Sequence, residues 1–338
     1  MKAVGYFQSL PINNEESLID FTIENPVPKG HDLLISIQAI SVNPVDTKIR
    51  NSKKAEGSEP MIIGWDASGI VEAVGEDCTL FQPGDEVYYA GDITRAGTYS
   101  EYHLVDERIV GKKPSSLSFE EAAALPLTTI TAWEALFERM RIPQIPTGDQ
   151  SPAILIIGGA GGVGSIAIQL AKWAGLTVIS TASRKETTDW VKELGADHVI
   201  NHHESIPTQL KNIGFDHIPY ILCLNSTDTH WEAMSEAIEA EGTICSIVET
   251  DQPLSLNPLK DKSVTFTWEF MFTRAKHQTP TMIKQHELLN SVASLVDKGK
   301  IRTTLKQLLS PINAEQLKKA HTAIEEGSTI GKIVLKDF

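Results

Sequence analysis

Along residues 1 to about 125 the apolar positions come in short runs, broken by Gly and Pro. Asp32-Leu-Leu-Ile-Ser-Ile-Gln38, Ser68-Gly-Ile-Val-Glu-Ala-Val-Gly75 and Gly84-Asp-Glu-Val-Tyr-Tyr89 are three of them. Runs of this length between turn residues predict a largely antiparallel β domain. From about residue 127 the pattern changes. Ala122–Met140 carries helical periodicity and is followed by a polar connector, Pro143–Pro152. Strands and helices then alternate: strand Ala153–Ile157, helix Gly162–Ala174, strand Thr177–Thr181, helix Thr187–Leu194, and a strand opening at Val199-Ile200. Tyr220–Leu224, Trp231–Ala240, Thr243–Val248 and Val264–Trp268 continue the alternation. Such alternation predicts βαβ units and a parallel sheet. The tail offers two amphipathic helices, His286–Lys298 and Ala314–Glu326, and a short strand, Gly331–Leu335, placed to return to the first domain.

Length agrees with two domains, since 338 residues exceed the usual size of one core. Acidic residues outnumber basic ones by 44 to 30, a net charge of −14. That balance argues against a nucleic-acid backbone or an anionic membrane as partner, because both are bound through clustered Lys and Arg. No apolar run is long enough to span a bilayer, and the start lacks the pattern of a signal peptide. Three scattered cysteines, Cys78, Cys223 and Cys245, suit a reducing compartment, so a cytoplasmic protein is expected.

The sharpest motif is Ile156-Ile-Gly-Gly-Ala-Gly-Gly-Val-Gly-Ser165. Gly159, Gly161 and Gly164 form G-x-G-x-x-G between a buried strand and a helix, with Gly162 and Val163 completing the turn. Glycines there let the backbone approach a pyrophosphate, whose charge then rests at the helix N-terminus. The strand that follows ends Val178-Ile-Ser-Thr-Ala-Ser-Arg-Lys185, with no acid before Glu186 to hold a ribose 2′-hydroxyl. Ser183 and Arg184 suit a 2′-phosphate instead, and Lys185 adds charge. NADPH is therefore the expected cofactor; the alternative is an exposed basic turn with no ligand.

Beyond this loop, Ser41-Val-Asn-Pro-Val-Asp-Thr-Lys48, Gly64-Trp-Asp-Ala-Ser-Gly-Ile-Val71, Gly84-Asp-Glu-Val87, Ala122–Trp133 and Gly331–Leu335 occur in an order that resembles the medium-chain dehydrogenase/reductase superfamily over nearly the whole chain. The resemblance implies a GroES-like β domain from residues 1–127 and 276–338. It also implies a Rossmann doubly wound parallel-sheet domain at 128–275, with the active cleft between the two. In zinc alcohol dehydrogenases of this superfamily a Cys stands where Asn43 is, and a His-Glu pair where Trp65-Asp66 is. The four-cysteine structural lobe has no counterpart either. The chain thus resembles the quinone and enone reductase branch, with hydride transfer from NADPH to quinones or enones, no metal, a small-molecule substrate and a homodimeric assembly expected; a zinc-dependent alcohol dehydrogenase and a non-catalytic NADPH-binding protein are the alternatives.

The same resemblance nominates site residues. Asn43 matches an active-site Asn whose amide holds ribose, nicotinamide or substrate oxygen; a turn residue before Pro44 is the plainer reading. Asp46 is expected to order this loop by hydrogen bonding, and a purely structural use explains it equally well. Lys48 replaces a Tyr of many quinone reductases, either to stabilise an enolate oxygen or to face solvent. Thr131 matches a cofactor-contacting Thr, or is a helix residue. Asn225 ends a strand at the carboxyl edge of the sheet, where such folds bind ligands, or is a turn Asn. Phe270 and Phe272 lie in a stretch that lines nicotinamide in relatives, although aromatic core is the common use of Phe. His202 stands where relatives have a Tyr near the adenosine, while His202-His203-Glu204 lacks a fourth ligand for a metal.

Overall fold

Strands form where β-branched and aromatic residues are dense, and three sheets result, the smallest pairing Lys2–Gly5 with Ile19–Thr22. The computed structural model describes residues 1–56, 59–145 and 151–338. Within the expected connector, Pro146–Gln150 lie outside the described residues. The chain divides into two compact units, Met1–Ile130 with Phe272–Phe338, and Thr131–Met271.

The first unit is built around the strand Asp32–Val42, buried along most of its length. Its sheet runs Leu305–Leu309, Lys332–Lys336, Asp32–Val42, Ala67–Val74, Glu86–Tyr89 and Val110–Lys112, with Tyr102–Asp106 also paired to Asp32–Val42. All pairs are antiparallel except Leu305–Leu309 with Lys332–Lys336. Ile333 pairs with Val42 and Ile40 with Ala67, so the C-terminal strand lies beside the central one. Leu305–Leu309 carries no clean alternation and sits half-exposed at the sheet edge, which is why its strand is not legible from periodicity.

One expected helix divides. Ala122–Met140 appears as Phe119–Ala123, then Pro126–Trp133, then a π-helical stretch Glu134–Arg139. Pro126 has no N–H to donate, so it can open a helix but not continue one.

The second unit is a six-stranded, wholly parallel sheet in the order His198–Ile200, Thr177–Thr181, Ala153–Ile157, Ile218–Cys223, Ile238–Ser246, Thr265–Trp268. In chain order this is 3-2-1-4-5-6, the doubly wound Rossmann arrangement. Leu155, Ile157, Ile221, Cys223 and Ile244 form its core with Trp231 and Met234. The helix expected at Trp231–Ala240 runs Thr227–Ala237, and the next strand starts at Ile238. Among the described residues no helix is long and apolar enough to cross a membrane.

Candidate cofactor cradle and buried charge cluster

In the second unit, Ala153–Ile157 leads through Gly158–Gly161 into the helix Gly162–Trp173. The three motif glycines are required for different reasons. A Cβ on Gly159 would lie 1.9 Å from Ser180 Oγ, and one on Gly164 would lie 2.5 Å from Gly158 O and Gly159 Cα. Both are demanded by packing within the protein. Gly161 is different: its φ is −71°, and an added Cβ would meet only Gly158 O, at 3.6 Å. Among the described residues nothing needs Gly161 to be glycine, whereas a ligand brought against the backbone would. The loop is held by Gly158 N–H donating to Thr181 Oγ1 at 3.0 Å and by Ser165 Oγ donating to Gly161 O at 2.7 Å. Trp190 Nε1 in turn donates to Ser165 Oγ at 2.9 Å.

Beside the cradle, Ser183 and Arg184 are exposed at the end of Thr177–Thr181, where Arg184 N–H donates to Thr187 Oγ1. Lys185 is paired with Asp189 at 2.5 Å, so its charge is already answered on its own helix. Ala182 N–H donates to Ile200 O, at the end of the neighbouring strand His198–Ile200. Asn225 is exposed past the end of Ile218–Cys223, its Oδ1 accepting from Ser226 Oγ. Thr131 is buried in Pro126–Trp133. Phe270 is exposed, whereas Phe272 is buried in the first unit, edge-on to Trp65 at 6.1 Å.

The first unit gathers charge. Asn43 caps the helix Pro44–Ser52, and its backbone N–H donates to Asp46 Oδ2 at 2.8 Å. Its amide points inward. Nδ2 donates to Asp66 Oδ2 at 2.8 Å, and Oδ1 accepts from Lys332 Nζ. Lysine can only donate and an ionised carboxylate only accept, so the amide orientation is dictated by its partners. Both amide atoms are spent on protein groups and Asn43 is 1% exposed, a different use from the ligand contact expected of it. Asp46 orders the loop, with Tyr99 Oη donating to its Oδ2 at 2.9 Å. Lys48, further along the same helix, is exposed.

Asp66 is the hub. Its Oδ1 accepts from Leu127 N–H at 2.8 Å in the first turn of Pro126–Trp133. Its Oδ2 accepts from Asn43 Nδ2 and from Lys332 Nζ at 3.0 Å. Burial raises the Asp66 carboxyl, while Lys332 and these hydrogen bonds pull it down. Asp46 is pushed up to about 7, first by burial, against the opposing bonds from Asn43 and Tyr99. Behind them, His321 Nε2 faces Tyr99 Oη at 3.1 Å and is held down to about 3, chiefly by burial and then by Arg50. Tyr99, His321 and Lys332 were missed by the sequence reading; Lys332 sat inside a quoted motif but registered only as a strand residue.

Residues 29–115 match the alcohol dehydrogenase GroES-like domain family, and residues 194–335 the zinc-binding dehydrogenase family. A zinc-type alcohol dehydrogenase-like protein of Staphylococcus aureus (strain MSSA476) is 44% identical over 99% of both chains. The chain belongs to the medium-chain dehydrogenase/reductase superfamily. As a member of it, the chain is an oxidoreductase. A solved structure from Rhizobium etli CFN 42, whose name includes the words zinc-dependent alcohol dehydrogenase, superposes with a TM-score of 0.95 at 50% identity, covering 100% of this chain and 98% of that one. Escherichia coli quinone oxidoreductase complexed with NADPH gives 0.83 at 25% identity, covering 99% and 100%. Against the zinc in these superfamily names, no group of three or more His, Cys, Asp or Glu among the described residues is placed to hold a metal ion.

Proposed function

We propose that this oxidoreductase transfers hydride from NADPH to quinones or α,β-unsaturated carbonyls without a metal ion. The observation that carries the cofactor half is Gly161, whose missing side chain is explained by a ligand and not by packing. The absence of an acid at the end of Thr177–Thr181, with Ser183 and Arg184 there instead, supports the phosphorylated dinucleotide. The relative complexed with NADPH supports it too. Gly159, Gly161, Gly162, Val163 and Gly164 hold the pyrophosphate in this reading, Ser183 and Arg184 the 2′-phosphate, and Thr131, Asn225 and Phe270 the remainder. Residues 128–275 then form the cofactor domain, and 1–127 with 276–338 the catalytic one.

The donor set supports the metal-free half. Zinc sites draw on thiolate, imidazole and carboxylate. The positions in question carry an amide, an indole and a carboxylate already bonded by Lys332. The residues present do not fit a zinc ion.

NADPH, when bound, supplies the hydride. An isolated ketone would then develop full negative charge on one oxygen, whereas conjugation spreads that charge over the acceptor. Lys48 is the group we assign to the developing oxygen, since it is a cation and exposed. Asn43 and Asp46 act by shaping the loop that carries it. Exposed Trp268 and Phe270, on and just beyond the edge strand Thr265–Trp268, support a homodimer paired through that edge. The three cysteines are free, in keeping with work in the cytoplasm.

The test is NADPH oxidation with a panel of quinones, short enones, ethanol and acetone, before and after chelation. Turnover of conjugated acceptors alone, unchanged by chelator, is expected. Alcohol oxidation with NADP+ and no turnover of any conjugated acceptor would overturn the proposal.

A further inference from the structure

Three strands of the first unit end at one place. Ile333 pairs with Val42 across one side of the central strand, and Ile40 pairs with Ala67 across the other. Stepping on along these antiparallel pairs sets Lys332 opposite Asn43 and Asp66 opposite Ser41, so register brings Lys332 and Asp66 to the same end of the central strand, where Asn43 follows Val42. Lys332 Nζ donates to Val42 O at 3.2 Å, to Asp66 Oδ2 at 3.0 Å and to Asn43 Oδ1. Three oxygens thus converge on one ammonium, as many as it has protons to give. Lys332 is 3% exposed and Asp66 fully buried. Asp46, the second carboxyl of this cluster, is held one residue away through Asn43 N–H.

Burying an ammonium is costly unless anions and carbonyls replace its water. Here they do, and the arrangement has the form of a coordination shell: a carboxylate, an amide oxygen and a backbone carbonyl around one positive charge. Such an all-oxygen shell suits a hard cation.

We propose that Lys332 is the resident cation of this site, its ammonium holding Asn43 and Asp66 in the way a bound metal ion would and thereby barring a divalent cation from their oxygens. The inference bears on the metal-free reading above but stands on the first unit alone. Its test uses neither cofactor nor acceptor, so either can fail without the other.

Lys332→Ala removes both the charge and the stem that fills the site. The unaltered chain is expected to leave the electron paramagnetic resonance signal of aqueous Mn2+ unchanged, while the variant quenches it with a stoichiometry near one per chain. The variant's Tm should fall by about 6–20 °C, as expected for breaking a buried pair in a domain of this size. Methylammonium should restore part of that fall, and tetramethylammonium none, because only the former can donate to the three oxygens. Should the variant emerge unfolded, the same two ions are compared on its refolding yield. Mn2+ uptake by the variant alone, or selective rescue by methylammonium, supports the assignment. Equal uptake by the unaltered chain overturns it, as does a variant showing neither uptake nor rescue.

Discussion

Tyr99 and Asp46 meet in complete burial, the phenol donating to Asp46 Oδ2 at 2.9 Å while His321 Nε2 approaches the same hydroxyl at 3.1 Å. With the phenol O–H directed at Asp46, a neutral His321 donates its Nε2–H to the Tyr99 oxygen. Asp46 Oδ1 has no partner. Tyr99→Phe therefore deprives a buried carboxyl of one of its two donors and should lower stability by about 1–3 kcal/mol, read from chemical unfolding. A loss within error would show that the hydroxyl contributes nothing to the cluster.

Asp46 and His321 have opposite effects on the pH dependence of stability. The Asp46 carboxyl, ordinarily at 3.8, is raised to about 7, so between these values the fold keeps a proton that the unfolded chain releases. Its contribution is fully present below 3.8 and is lost as pH rises through 7. The His321 imidazole, ordinarily at 6.5, is lowered to about 3, so the unfolded chain takes a proton that the fold refuses. Its contribution is present above 6.5 and lost as pH falls. Between about pH 4 and 6.5 the two cancel. Asp46→Asn should expose the histidine alone, steepening the loss of stability toward acid by about 1.4 kcal/mol per pH unit. An unchanged slope of stability across about pH 4.5, 5 and 6 would contradict this.

Arg184→Ala should weaken NADPH much more than NADH, because only the former brings a 2′-phosphate. Losing one charge-assisted bond corresponds to about 1.5–3 kcal/mol, or roughly 10–150-fold in Kd. Fluorescence titration with both cofactors decides it, and equal losses would remove the assignment.

Two glycines separate ligand from packing. Gly161→Ala brings its Cβ only into ordinary contact with Gly158 O, at 3.6 Å and at an ordinary φ, so Tm should hardly move while NADPH affinity falls about tenfold or more. Gly164→Ala drives its Cβ to within 2.5 Å of the Gly158 carbonyl oxygen and should destabilise the protein itself. Intact cofactor binding in a stable Gly161→Ala chain would count against the cradle.

Lys48→Met should lower kcat for enones with little change in NADPH affinity, since the side chain is assigned to the acceptor oxygen. A tenfold fall would correspond to about 1.4 kcal/mol of transition-state stabilisation. A loss confined to cofactor binding would place Lys48 elsewhere.

The parallel sheet was legible because short strand-like runs alternate with periodic helices, the first of them, Ala153–Ile157, unbroken and apolar; it and Thr177–Thr181 have the expected bounds. The glycine loop was legible because turn, strand and helix must coincide there. Leu305–Leu309 was not, since a half-exposed edge strand leaves little alternation to see. The inward use of Asn43 was also out of reach: it depends on Asp66 and Lys332, which only strand register brings to it. Local pattern reports which face of an element is buried. It does not report which distant charge will arrive beside it.

That distance has a consequence for how the protein is made. Lys332 is separated from Asn43 by 289 positions, and the entire second unit is translated between them. At roughly 5–20 residues per second a ribosome presents Asn43 and Asp66 about 15–60 s before their counter-charge exists. Through that interval the growing chain carries an open edge at Asp32–Val42 and a carboxylate it cannot yet bury. The second unit, contiguous in the chain, has every strand of its sheet before the last strand of the first is made, so the half synthesised first is the half finished last.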